Sequence, residues 1–447
     1  MSAESTTVTK TGGFSEEAIK ELSWTRDEPD WLRQLRLDAW RTWERTPMPS
    51  RKDEEWRRTD ISMLDLGSVI PVSRQVGRVQ KLEELPAEIR AHLAGGNGTA
   101  GLQVQRDSFA AYGRLSGDMA SKGVILTDMD TAAREHGDLV RRYLGSQVTP
   151  ADGKFQALHA AFWSGGSFLY VPRNVEVEAP VHALTWSDSS GLGVMPHTLV
   201  VLEPGARLAL VDEYASPEGR SPAMVNGAVE LVVGDGARLD YVALQRWGTS
   251  VFAFGAQRAS IGRDAQLTTL SVVLGSRLTK SWIDSLLKES GGSVHMVGIM
   301  FASGRQRFHH HTLQDHMAPN TTSDLLFKVA LTDEARSEYS GLIRVRKDAQ
   351  KTDAYQANRN LSLSEHARAD SIPKLEIEAN DVRCSHGATV GPIDQEQVFY
   401  LMTRGLPRPI AERMIVEGFF EQVMEKIPLE DVRATVRKAV AAKLAER

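Results

Sequence analysis

Cys384 is the only cysteine of this 447-residue chain, and it stands two residues before His386 in Asp381-Val382-Arg383-Cys384-Ser385-His386-Gly387-Ala388-Thr389-Val390-Gly391. A thiolate and an imidazole are both good ligands for transition metals. In an extended strand residues i and i+2 point to the same face, so the pair would project together. Two ligands do not close a four-coordinate site. A metal held here needs further donors from elsewhere in the chain or from a partner. The bland alternative is a small buried hydrophobe beside a hydrogen-bonded structural histidine.

A second group is His309-His310-His311, with His316 nearby. In a strand His309 and His311 share a face that His310 opposes. The group could bind a metal or form polar surface. Between Ser340 and Asn360 lies a run dense in amides and charges. It suits either a hydrogen-bond ladder of Asn and Gln in a solenoid or a docking surface. Other chemistry is missing. The chain has no Gly-x-x-x-x-Gly-Lys-[Ser/Thr] loop, so it should not hydrolyse nucleotides itself. It has no Gly-x-Ser-x-Gly elbow, no His-Glu-x-x-His helix and no Cys-x-x-Cys pair. One cysteine cannot build a four-thiolate cluster.

The elements that would position these residues change character along the chain. Residues 1–150 read as a helical and mixed region with a disordered start. Ser15-Glu16-Glu17 opens one helix with a capping serine. Asp30 opens a second, with an apolar stripe of Leu32, Leu35, Ala39 and Trp43. Trp24, Trp31, Trp40, Trp43 and Trp56 suggest a small helical core. Residues 151–392 read as a β core of short alternating strands such as Val229-Glu230-Leu231-Val232-Val233. A corner recurs there: Pro204-Gly205-Ala206, Asp235-Gly236-Ala237 and Arg263-Asp264-Ala265, then related turns at Gly291, Asp333, Asp348 and Glu365. A residue tolerant of positive φ, followed by a small alanine, is what a tight corner between closely stacked coils requires. Early intervals near 30 residues predict a stacked β-solenoid rather than a β-sandwich. Residues 393–447 read as a helical C-terminal domain. Its stripes are Val398, Leu401 and Met402, then Ile410, Met414 and Phe419, then Val432, Val436, Val440 and Leu444.

Composition narrows the function classes. The net charge of −5 gives no global field for nucleic acid. No apolar run approaches the about 20 residues that span a bilayer. The polar N-terminus lacks a signal-peptide core, and the lone thiol suits a reducing, cytoplasmic setting.

Several stretches together resemble the SufB/SufD family, scaffold subunits of the SUF iron–sulfur cluster assembly machinery. The resemblance is strongest from about Asp333 to Val423. It rests on Asp348-Ala349-Gln350-Lys351-Thr352-Asp353-Ala354-Tyr355-Gln356, Asn358-Arg359-Asn360-Leu361, Pro373-Lys374-Leu375-Glu376-Ile377, the Cys384 motif, Phe399-Tyr400-Leu401 and the helix Ala411 to Phe419. Glu28-Pro29-Asp30-Trp31 and Glu54-Glu55-Trp56-Arg57-Arg58-Thr59 also fit. The chain resembles the SufD type, which carries Cys-[Ser/Thr]-His-Gly-Ala-Thr where SufB carries Glu-His-Glu-Ala-Thr. Ser362 is the best match to an upstream SufB cysteine. The resemblance implies a right-handed β-helix core between helical ends and a non-catalytic scaffold. It also implies a heterodimer with SufB, a C-terminal region that docks the SufC ATPase, and a transient iron–sulfur cluster near the SufB interface. Cys384 and His386 are the candidate interface ligands, His386 with more weight. A reduced flavin is associated with the family's complex, with no residue assignable here. The competing classes are a β-helix carbohydrate-active enzyme, which needs paired carboxylates beside a groove, and a self-assembling structural solenoid.

Overall fold

The computed structural model describes residues 13–71, 77–93, 98–427 and 430–445. The expected disordered start and the side chain of Val432 lie outside the described residues.

Two ten-stranded sheets face each other, and the chain alternates between them coil after coil. This is a β-solenoid of about eight turns with helices at both ends. Arg207, Arg238, Gln266, Ser293, Thr322, Asp353 and Arg383 stack in direct parallel register, a repeat of 27 to 31 residues by their numbers. The corners obey the local rule read from the sequence. Gly205, Gly236 and Asp264 have φ of +75°, +66° and +54°, and Ala206, Ala237 and Ala265 behind them are fully buried.

Alternation divides each strand between two cores. In Ser293–Ala302, Val294, Met296 and Met300 face the lumen. Val297, Ile299 and Phe301 face outward, where Val416, Phe420, Val423, Val436 and Val440 cover them. These covering residues lie on helices Arg408–Met424 and Glu430–Ala445. The buried Lys328 pins the first of them: its Nζ donates to the Phe419 carbonyl at 2.5 Å and to Gln422 Oε1 at 2.7 Å. The C-terminal helices are therefore one wall of the solenoid's packing. The last helix buries Val436, Val440 and Leu444 as the sequence suggested, but on Arg408–Met424 the expected Ile410 and Met414 lie on the exposed face.

The N-terminal region packs on the opposite side. Ser15 Oγ accepts from the Ala18 N–H at 3.1 Å and caps helix Glu16–Thr25. Helix Asp30–Arg45 buries Leu32, Ala39 and Trp40, and Trp43 and Trp56 join the same core as expected, whereas Leu35 and Trp24 are exposed. Arg36 is buried on this helix. It donates to Glu28 and to the carbonyls of Ala161 and Trp163. Within the region read as mixed, strands begin at Gly101. Phe109–Leu115 and Ile125–Asp128 close the first coils by antiparallel pairing. No helix among the described residues is long and apolar enough to cross a membrane.

Candidate functional site

The far end of the solenoid is not closed. Strand Arg368–Ile377 ends one sheet and strand Arg383–Pro392 ends the other, each paired on one side only. Their backbone groups form a free edge, the kind of surface that templates pairing with another chain. The coil's lumen-facing side chains are left uncovered: Leu375, Ile377 and Val390 are 37%, 41% and 54% exposed.

Cys384 and His386 sit on this last strand. Cys384 is in register with Ala354 and His386 with Gln356, both buried lumen positions. The two side chains thus face the same way, into the open mouth, as the strand period requires. Their surroundings differ. Cys384 is half-buried against Ile343, Val345, Ala349, Ala354 and Ala379. That burial, with Asp353 nearby, pushes its thiol above the ordinary cysteine range, so it rests as a thiol. His386 is exposed. Among the described residues no group of three or more His, Cys, Asp or Glu side chains is arranged to hold a metal ion. The pair can supply two donors to a site completed from outside.

The polar run before it faces inward as well as outward. Gln356, Asn358 and Asn360 alternate into the lumen and are buried, while Tyr355 and Arg359 point out. The open question of ladder or docking surface resolves into a buried amide floor directly beneath the mouth. Ser362 ends the same strand, with its hydroxyl donating to the Ser364 carbonyl at 2.9 Å.

His309 and His311 do share a face opposite His310, but that face is neither open surface nor a cluster of free imidazoles. The segment Glu54–Thr59 lies across it. Thr59 Oγ1 meets His309 Nδ1 at 2.6 Å, and the Lys280 ammonium bonds both the Glu55 carbonyl (2.6 Å) and His311 Nε2 (2.8 Å). Burial lowers Lys280 to about 8 and His311 to about 3. Glu54 reaches on to Lys374 of the last coil at 2.5 Å. This strap was invisible to sequence spacing. Its signal was the charged, Trp-bearing Glu54–Thr59 motif, whose partners lie hundreds of residues away.

Beside the strap a cleft of about 360 Å³ carries Asp152, Asp284, Glu338, Glu54 and Glu55. Arg258 binds Asp152 and Asp284 together, and Lys374 binds Glu54. Asp152, Asp284 and Glu54 are thus held in ion pairs, whereas Glu338 has a buried oxygen with no hydrogen-bond partner among the described residues.

Comparison with known proteins agrees with the geometry. Residues 185–419 match the family model described as the SUF system FeS cluster assembly SufBD core domain. Residues 18–183 match the SufBD protein N-terminal region. The iron-sulfur cluster assembly protein SufD of Bacillus subtilis is 33% identical over 434 residues, covering 96% of this chain and 98% of that protein. An iron-sulfur cluster assembly SufBD family protein of Staphylococcus epidermidis is 30% identical over 426 residues, 94% of this chain and 90% of the relative. The chain belongs to the SufB/SufD family of iron–sulfur cluster assembly proteins and is most like SufD.

Proposed function

We propose that the chain is a non-catalytic, cytoplasmic scaffold subunit that pairs through its open solenoid end with SufB, docks the SufC ATPase through its C-terminal helices, and contributes to a nascent cluster at the SufB boundary. The observation that carries this reading is the uncapped last coil, with Cys384 and His386 facing out of its mouth. A second solenoid stacked on this edge would pair its free backbone groups and cover Leu375, Ile377 and Val390. It would also bring the further donors that two residues lack. The cluster is cargo, assembled here and passed on. At the start of the C-terminal region, Phe399, Tyr400, Met402, Ile410 and Met414 form an exposed apolar set on helices Gln395–Thr403 and Arg408–Met424, as a docking surface requires. The reduced flavin implied for the complex is assigned no residue of this chain.

The test is His386→Ala, with Cys384→Ser beside it, in the complex matured in cells. A complex that assembles and melts as wild type but lacks iron and sulfide supports the reading. Full cluster loading in both variants overturns it.

A further inference from the structure

The lumen changes character as it approaches the mouth. One inward column reads Met296, Leu325, Gln356, His386, one residue per coil. Apolar side chains fill its lower positions, and an amide takes the place directly beneath the histidine. Gln356 is fully buried. Its Nε2 points at the Gly341 carbonyl at 3.4 Å, and its Oε1 has no partner among the described residues. A buried carbonyl oxygen without a donor is uncommon and calls for an explanation.

The amide is held where it is. A side chain at position 341 would place its Cβ 2.5 Å from both Gln356 amide atoms and 2.4 Å from the Tyr339 hydroxyl. The glycine makes room for the amide. Tyr339 is fixed in turn by Thr312, hydroxyl to hydroxyl, at 2.8 Å. The Gly341 carbonyl can only accept, so it selects the NH₂ end of Gln356 and leaves the oxygen free. Strand spacing of about 4.8 Å places the Gln356 backbone one layer under that of His386, and its amide reaches into the lumen toward Gly341.

We infer that Gln356 is the positioning residue for His386: once a second solenoid covers the mouth, the imidazole turns over the amide and donates one N–H to Gln356 Oε1, which fixes its tautomer and aims the other nitrogen at the cargo. Histidines that bind metals almost always give their second N–H to a carbonyl or carboxylate in this way. Gln356 is the inward acceptor one layer below. A rotamer change of one exposed side chain on docking is the ordinary response of an interface. The inference rests on the proposed SufB pairing.

The test uses the full chain and its SufB-type partner, with Gln356→Met as the variant. Methionine keeps the volume and removes the acceptor. Co-purification of the wild-type pair is read first, and its failure would sink the pairing itself rather than this inference. With the pair formed, ¹⁵N-histidine spectra should show one His386 tautomer in the wild type and a mixture in Gln356→Met. Iron retained by the complex should fall about 10- to 100-fold, the usual effect of losing an outer partner of a metal-bound histidine. Gln356→Glu restores an acceptor and should restore the single tautomer. Unchanged tautomers and iron content in Gln356→Met overturn the inference. So does a lowered melting temperature with unchanged tautomers, which would mark Gln356 as a packing residue.

Discussion

His310 faces the lumen with neither ring nitrogen hydrogen-bonded among the described residues, and burial first, then the Lys280 charge, holds it down to about 3. An unfolded histidine titrates near 6.5. Between those values the unfolded chain takes up a proton that the folded chain refuses, so stability is fully present above pH 6.5 and falls as the pH drops toward 3. At pH 5.5 the loss from this one residue is about 1.4 kcal/mol relative to pH 7.5. His159, His309, His311 and His316 are held low by burial as well. All act in the same direction, so acidification weakens the fold. Buried carboxylates such as Asp212, raised by desolvation, act in the opposite sense, so a single histidine is best isolated by a difference. The perturbation is His310→Leu, which removes a group with no hydrogen bond to lose. Urea unfolding of wild type and variant at pH 7.5 and 5.5 gives four free energies. The variant should lose about 1.4 kcal/mol less on acidification than wild type, with equal m-values. Equal losses in both proteins would refute the claim that His310 is buried neutral.

Other consequences follow from packing and from ligand count. Phe420→Ala should cost about 3–5 kcal/mol of stability by thermal or urea unfolding, because Phe420 covers the outward face of the sheet rather than standing in a detachable tail. For the same reason, truncation near residue 405 should destabilise the β core. Gly341→Ala should cost about 1–3 kcal/mol by overpacking, read as a lowered melting temperature, since the new methyl meets Gln356 and Tyr339. The isolated chain should retain no stoichiometric iron and acid-labile sulfide after anaerobic reconstitution. It has one thiol, and among the described residues no cluster of donors fit for a metal.

What the sequence disclosed was what is local. The solenoid corners were legible because positive φ and a buried alanine are demands on three neighbouring residues, met at Gly205-Ala206 and Gly236-Ala237. The shared face of Cys384 and His386 followed from strand period alone. The strap did not: Thr59 meets His309 across 250 positions, and nothing in either neighbourhood encodes the other. Helix faces were misread where two surfaces compete for apolar residues. Ile410 and Met414 look like a core stripe, yet the sheet buries Ala411, Val416 and Phe420 instead. Periodicity reports that a face is apolar, not which partner covers it. The depth of Gln356 was hidden for a related reason, since an amide-rich run reads as surface until the register turns alternate residues inward.

The central claim is that the last coil is a docking edge for a second solenoid. Amide hydrogen exchange over Arg368–Ile377 and Arg383–Pro392, with and without the SufB-type partner, tests it most directly. The free edge should exchange quickly in the isolated chain and become strongly protected in the complex, with the earlier coils unchanged. A stable complex in which these two strands exchange as fast as in the isolated chain would contradict it.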